Sequence, residues 1–210
     1  GDRPIPQLVD LYASPVPSEL RTSSWLAQCT DSYLCDRRDP AKPFFLFVGF
    51  PDPHHPFTPG HDVAAMFENS DVLPAHDPEG EYPRNSPPYQ RLTEDGTLCP
   101  VTNFTAAQRR LIIQYTYALV HEIDQAVGRI FASLRSQGLW DNTIVVFTSD
   151  HGDFLCDHGL IRKHEMGSDC LLHVPLIVRV PGVDLPDQVD QPVSNTDVMP
   201  TLAALCGLTC

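Results

Sequence analysis

The sequence predicts an α/β domain built on a mostly parallel central sheet, and three observations carry that expectation. Phe44-Phe-Leu-Phe-Val-Gly-Phe50 and Thr143-Ile-Val-Val-Phe-Thr148 are apolar on successive positions, the mark of strands buried on both faces. A long helical pattern feeds directly into the second of these runs, and a helix leading into a buried strand is the alternation such folds are made of. A third short run, Pro175-Leu-Ile-Val-Arg-Val180, ends at Pro181-Gly182 and supplies another candidate strand.

Along the chain, residues 1–17 are rich in proline and aperiodic, and read as an extended arm. From Ser18 to about Cys35, the residues Leu20, Trp25, Leu26, Cys29 and Tyr33 recur at helical spacing, and DRRDPAKP then breaks the pattern before the Phe44–Phe50 strand. Residues 51–104 hold many prolines with little periodicity and read as a long loop region of functional rather than connecting character. Thr105-Ala-Ala-Gln108 matches a capping box, and Ile112, Tyr115, Leu119, Ile123, Val127, Ile130 and Leu134 follow at steps of three or four. That helix should end near Gly138, where a left-handed residue closes it. Thr196 to about Leu205 reads as a final helix.

At 210 residues, with 42% hydrophobic and 20% charged residues, the chain is long enough to bury a true core and is not of disordered composition. Twenty-seven acidic residues against 14 basic give a formal net charge of −13, which opposes a polyphosphate backbone, so nucleic acid is not an expected partner. A small anion would have to be attracted locally, by a bound cation or by one or two placed bases. No apolar run approaches the roughly 18 residues of a spanning helix, and no signal-peptide pattern opens the sequence. The seven cysteines are irregularly spaced and read as free thiols of a reducing compartment, so the expected location is cytoplasmic, with a periplasmic or secreted one as the alternative.

Ligands of open parallel sheets bind beyond the carboxyl ends of the strands. Two strand ends here deliver acid or imidazole: Pro51-Asp-Pro-His54-His55-Pro-Phe57 after the first, and Ser149-Asp150-His151-Gly152-Asp153 after the second. Asp150 offers hard oxygen and His151 a borderline nitrogen, a pair able to bind a divalent cation once Gly152 lets the backbone bend. Lys163, thirteen positions past Asp150, can fold back over the same end and offer a compact positive charge. His54, framed by prolines, could donate to an oxyanion or protonate a leaving group. Residue type alone also allows Asp150 as a helix cap, His151 and His54 as ordinary loop histidines, and Lys163 as a solvated lysine. No G-x-S-x-G, Walker loop or G-x-G-x-x-G occurs, and neither His121-Glu122 nor His164-Glu165 has the second histidine of H-E-x-x-H.

The order of the pieces FFLFVGFPDPHHPFTPG, YALVHEID within the long helix, GLWDNTIVVFTSDHGDFLCDHGLIRK, HVPLIVRVPG and TDVMPTLAALCG resembles the sulfatase family of the alkaline-phosphatase superfamily, over residues from about 18 to 207. The resemblance implies an alkaline-phosphatase-like, three-layer α/β/α fold, here incomplete. It implies Asp150 and His151 as metal ligands, Lys163 as the base that holds the sulfate group, and His54 as the histidine contacting the sulfate and its bridging oxygen. The metal it implies is most often Ca2+, with Mn2+ or Zn2+ in related phosphonate and phosphodiester hydrolases. Asp124, Asp197 and Thr201 match recurrent family positions of structural character.

The departures matter equally. The family carries an earlier aspartate pair and a Cys/Ser-x-Pro-x-Arg motif whose Cys or Ser becomes formylglycine, the nucleophile. No such motif occurs in these 210 residues, and the smaller C-terminal subdomain is not matched either. The expectation is therefore a partial catalytic domain, inactive alone, from a hydrolase that cleaves a sulfate monoester to alcohol and sulfate. The alternatives are a phosphonate monoester or phosphodiester hydrolase of the same superfamily, or a non-catalytic scaffold or binding module. A small anionic sulfate ester is the expected partner, and an exposed sheet edge would favour self-association.

Overall fold

A computed structural model describes residues 10–76, 87–94, 99–102, 104–163 and 167–208. Its organising element is the 31-residue helix α4, Ala106–Ser136. The expected capping box is formed at its start: Thr105 Oγ1 accepts from Gln108 N–H (3.2 Å), and Gln108 Oε1 accepts from Thr105 N–H (2.8 Å). It closes where expected, with Gly138 at φ +66° donating to Arg135 O (3.0 Å) and Leu139 N–H donating to Leu134 O (2.8 Å). Ile112, Ala118, Leu119, Ile123, Ala126 and Leu134 fall on its buried face, as their spacing requires.

Two shorter helices pack on that face: α1, Thr22–Ser32, and α2, His61–Phe67. The expected 18–35 helix is thus divided, with a 3-10 turn at Ser18–Leu20 before α1 and a π turn at Tyr33–Arg37 after it. Glu122 of α4 ties the packing together. Its carboxylate, 2% exposed, accepts from Arg21 Nε (2.8 Å) and from Gly60 N–H (2.7 Å), so one buried charge is satisfied from two separate segments. A Cβ at Gly60 would sit 2.8 Å from Ser18 N, which is why the chain passes there as glycine.

The Pro-rich stretch 51–104, expected as loop, carries α2, a further helix α3 (Pro87–Glu94) and a short strand β1 (Cys99–Pro100). Helices of seven and eight residues span about two turns, too few for a hydrophobic period to show. For α2 the stabilisation is tertiary: it packs on α4, and Asp62 in its first turn accepts from Ser18 N–H and Oγ–H. The proposed arm is also pinned, because Leu11 bridges Phe57 and Ser14 bridges Gly60; residues 1–9 lie outside the described residues.

The expected parallel pairing is not seen among the described strands. Strand β2, Val145–Thr148, pairs with β4, Leu176–Arg179, in antiparallel register, Val145 opposite Arg179 and Thr148 opposite Leu176. Strand β3, Leu160–Ile161, pairs with β1, also antiparallel. Apolar residues on successive positions report burial on two faces but say nothing of direction. Direction is set by the connection. The described residues 149–163 and 167–175, with the single-turn helix α5 (Asp169–Leu172), include no long crossover helix, and β4 starts beside the carboxyl end of β2. Residues 44–50 belong to no helix or strand and have no ladder partner among the described residues, and Phe45 and Phe47 are 72% and 84% exposed. A strand needs a neighbour for its N–H and C=O groups; here the described chain supplies none. The three-layer arrangement around a parallel sheet is accordingly not formed by the described strands. Among the described residues, no helix is long and apolar enough to cross a membrane.

Candidate active site at the carboxyl end of β2

The site is assembled by a tight excursion of the chain after β2. Thr148 ends the strand, and Asn195 fastens the two residues beyond it: its Nδ2 donates to Ser149 O (2.9 Å) and to Asp150 O (3.4 Å). Asn195 is itself held in a 3-10 turn, Asn195–Asp197, by a second capping box in which Asp197 Oδ2 accepts from Ser194 N–H (2.8 Å). Asp197 therefore acts structurally, two residues from the group that grips the strand end. Ser149 Oγ–H donates to His151 O (2.9 Å), and Gly152 follows in close contact with the 168–172 segment. A Cβ on Gly152 would lie 1.9 Å from Cys170 O, and its N–H donates to Leu171 O (2.8 Å). No side chain fits there.

Beyond Gly152 the chain makes a narrow loop that returns as β3. Asp153 Oδ1 accepts from the N–H of both Leu155 and Arg162 (2.9 Å each), and Phe154 N–H donates to Arg162 O (3.0 Å). Leu155, Cys156, His158 and Arg162 all have positive φ, a concentration of unfavourable backbone of the kind that persists only where surrounding contacts over-determine it. Those contacts are apolar: Phe57, Val101, Phe104, Ile112, Cys156 and Ile161 form one buried cluster. Because Phe57 and Ile161 share that cluster, the His54-His55 turn lies beside the returning residues Arg162 and Lys163.

Three of the four expected site residues are thereby linked through His151. His151 Nδ1 lies 2.7 Å from Gly152 O, which can only accept, so Nδ1 carries the proton and Nε2 presents its lone pair. The Lys163 ammonium meets that lone pair, and Asp150 Oδ2 lies 3.2 Å from the same nitrogen. Asp150 is largely exposed. Its slight burial acts to raise its carboxyl, but His151, backbone N–H groups and Lys163 outweigh that and hold it below the usual carboxylate range. His54 joins less directly. Its Nδ1 bonds His55 O (2.8 Å), and its ring stacks on His55 with centroids 4.0 Å apart. His55 is pushed down to about 4 by burial first, then by the charges of Arg162, His54 and Lys163.

Asp150 Oδ2 and His151 Nε2 are donor atoms side by side, and the tautomer of His151 suits a ligand. They fit a divalent cation as part of a ligand set. They are not a full set: among the described residues no three His, Cys, Asp or Glu groups are placed to hold a metal. Sequence reasoning gives neither Asp153 nor Asn195 a role at the site. For Asn195 a signal exists in the Ser194-x-x-Asp197 capping pattern; for Asp153 there is none, because its role depends on a residue nine positions away.

The model of the sulfatase family matches residues 23–208. The chain belongs to the sulfatase family. Among its relatives, the multifunctional alkaline phosphatase superfamily protein PehA of Trinickia caryophylli is 30% identical, covering 99% of this chain and 42% of that protein. An endo-4-O-sulfatase of Bacteroides thetaiotaomicron is 30% identical over 81% of this chain and 30% of its own length. In structure, the phosphonate monoester hydrolase of Agrobacterium radiobacter superposes with a TM-score of 0.76 at 27% identity, covering 94% of this chain and 41% of that one. The alkaline-phosphatase-like fold is therefore shared. This sulfatase-family chain spans less than half the length of each of these relatives.

Proposed function

We propose that the chain is the later part of the catalytic domain of a metal-dependent sulfuric-ester hydrolase. The observation that carries this reading is the meeting of Asp150, His151 and Lys163 at the carboxyl end of β2, within a family of ester hydrolases. Cleaving a sulfate monoester requires positive groups on the non-bridging oxygens and a proton or positive charge for the leaving alcohol. Lys163 supplies a cation for the oxygens, and His54 Nε2, free of the intrachain bond made by Nδ1, can approach the bridging oxygen. Asp150 and His151 would hold the cation, which when bound supplies Lewis acidity to the same oxygens. The remaining ligands and the formylglycine nucleophile would come from chain outside these 210 residues.

Assays of the protein from its complete reading frame on aryl sulfate and aryl phosphonate esters test the reading. Turnover of the sulfate ester is expected, with Lys163→Ala lowering kcat/KM by about 10²–10³-fold. Preferential turnover of the phosphonate would favour the second reading, to which the likeness to the Agrobacterium enzyme points. Silence on both esters, or an unchanged Lys163→Ala variant, would remove the hydrolase reading in favour of a non-catalytic module. Calorimetric titration of the 210-residue chain with Ca2+ or Mn2+ should show weak or no binding; a tight site would overturn the partial ligand set.

A further inference from the structure

The loop that returns Lys163 to His151 is closed by backbone bonds, Phe154 N–H to Arg162 O (3.0 Å) and Cys156 N–H to Leu160 O (2.8 Å), and by the side chain of Asp153. Asp153 follows Gly152 and directs its carboxylate into the loop, where Oδ1 accepts from Leu155 N–H and from Arg162 N–H. The first bond closes a local turn; the second spans nine residues and joins the two ends of the loop. Arg162 is then used on both sides of its backbone, its N–H by Asp153 and its C=O by Phe154 N–H (3.0 Å). With both peptide groups fixed, Arg162 keeps φ at +70°, a conformation that a non-glycine residue adopts only under constraint. That reversal is what aims the next residue, Lys163, at His151 Nε2.

We propose that Asp153 is a positioning residue: through its bond to Arg162 N–H it sets the backbone turn that delivers the Lys163 ammonium to the His151 imidazole. The bonds are made by one oxygen acting as a two-fold acceptor, so the acceptor matters and the charge does not. This inference rests on the assignment of Lys163 to the site, and its test separates the two.

In the 210-residue chain labelled with 15N-histidine, His151 should show an Nδ1-protonated ring with Nε2 perturbed as an acceptor. Lys163→Gln removes the ammonium while leaving the bonds of Asp153 intact, and provides the reference for a lost contact. Asp153→Ala should reproduce that reference spectrum, whereas Asp153→Asn, which keeps Oδ1, should retain the wild-type signature. A wild-type His151 spectrum in Asp153→Ala overturns the inference. So does loss of the signature in a folded Asp153→Asn chain, a comparison that stands even if the alanine variant does not fold. In the complete enzyme, Asp153→Ala should lower kcat/KM by about 10²-fold and Asp153→Asn should restore it. If the spectra behave as expected but Lys163→Ala leaves turnover untouched, the positioning role stands and the hydrolase reading falls.

Discussion

Two regions of this molecule are equally apolar in sequence and have opposite fates. Around α4, the apolar positions of α1, α2 and the 99–104 segment meet one another, and Ile112, Leu119, Phe57 and Val101 are essentially sealed from water. Across residues 44–50 and the β2–β4 pair, side chains of the same kind face outward; Phe47 is 84% and Ile177 62% exposed. Hydrophobicity specifies that a surface should be covered, but the cover must be supplied by another element. The α4 half has its partners on this chain. The strand half does not have them among the described residues. The candidate site lies at the join, its backbone fixed by the covered half through Phe57 and Ile161, and its strand end projecting from the uncovered half.

The comparison can be broken by mutation, beginning with the covered half. Glu122→Ala would strip the buried carboxylate from Arg21 and Gly60 N–H, and should cost about 3–5 kcal/mol, read as a lower midpoint in urea unfolding. Leu119→Ala, at a fully buried position, should cost about 2–5 kcal/mol by the same measurement. If either variant is neutral, the α4 half is not the stable core described above. Phe47→Ser, in contrast, should change the midpoint by less than about 0.5 kcal/mol. Its effect should appear instead in light scattering, where the wild-type chain self-associates through its uncovered apolar surface and the variant does so less. A clean wild-type monomer would contradict the contrast drawn between the two regions.

The smallest effect expected is a pH dependence at the join. His55 has a folded pKa of about 4 against an ordinary value of 6.5, held down by burial and by Arg162, His54 and Lys163. The unfolded chain therefore takes up its proton first. The contribution of neutral His55 is complete above about pH 6.5 and is lost progressively as pH falls towards 4, below which it levels off. Unfolding midpoints between pH 7 and 4 should fall less steeply for His55→Gln than for the wild type. Equal slopes would mean that His55 is neither buried nor set against the charges of Arg162, His54 and Lys163 as described.

How much of this could be read beforehand depended on whether the deciding interaction was local. The capping box at Thr105 and Gln108, the closing glycine at 138, the final helix α6 (Val198–Leu205) and the strand at 145–148 were all expected at or near their observed positions, because caps, helical periodicity and short apolar runs act over a few residues. Asp150, His151 and Lys163 could be grouped from their order behind a strand. The antiparallel pairing of β4, the double role of Asp153 and the Arg21–Glu122–Gly60 tie could not, since each joins residues far apart along the chain whose individual types are unremarkable.

By itself, then, the amino-acid order determined where the longest helix begins and ends and which residues are candidates for chemistry, for these are set by backbone sterics, capping hydrogen bonds and side-chain type. Only the tertiary structure decided which way the strands pair, which carboxylate fastens the returning loop, and which apolar faces are covered. Those outcomes depend on loop closure and on the presence of a packing partner, and neither quantity is written in any short stretch of sequence.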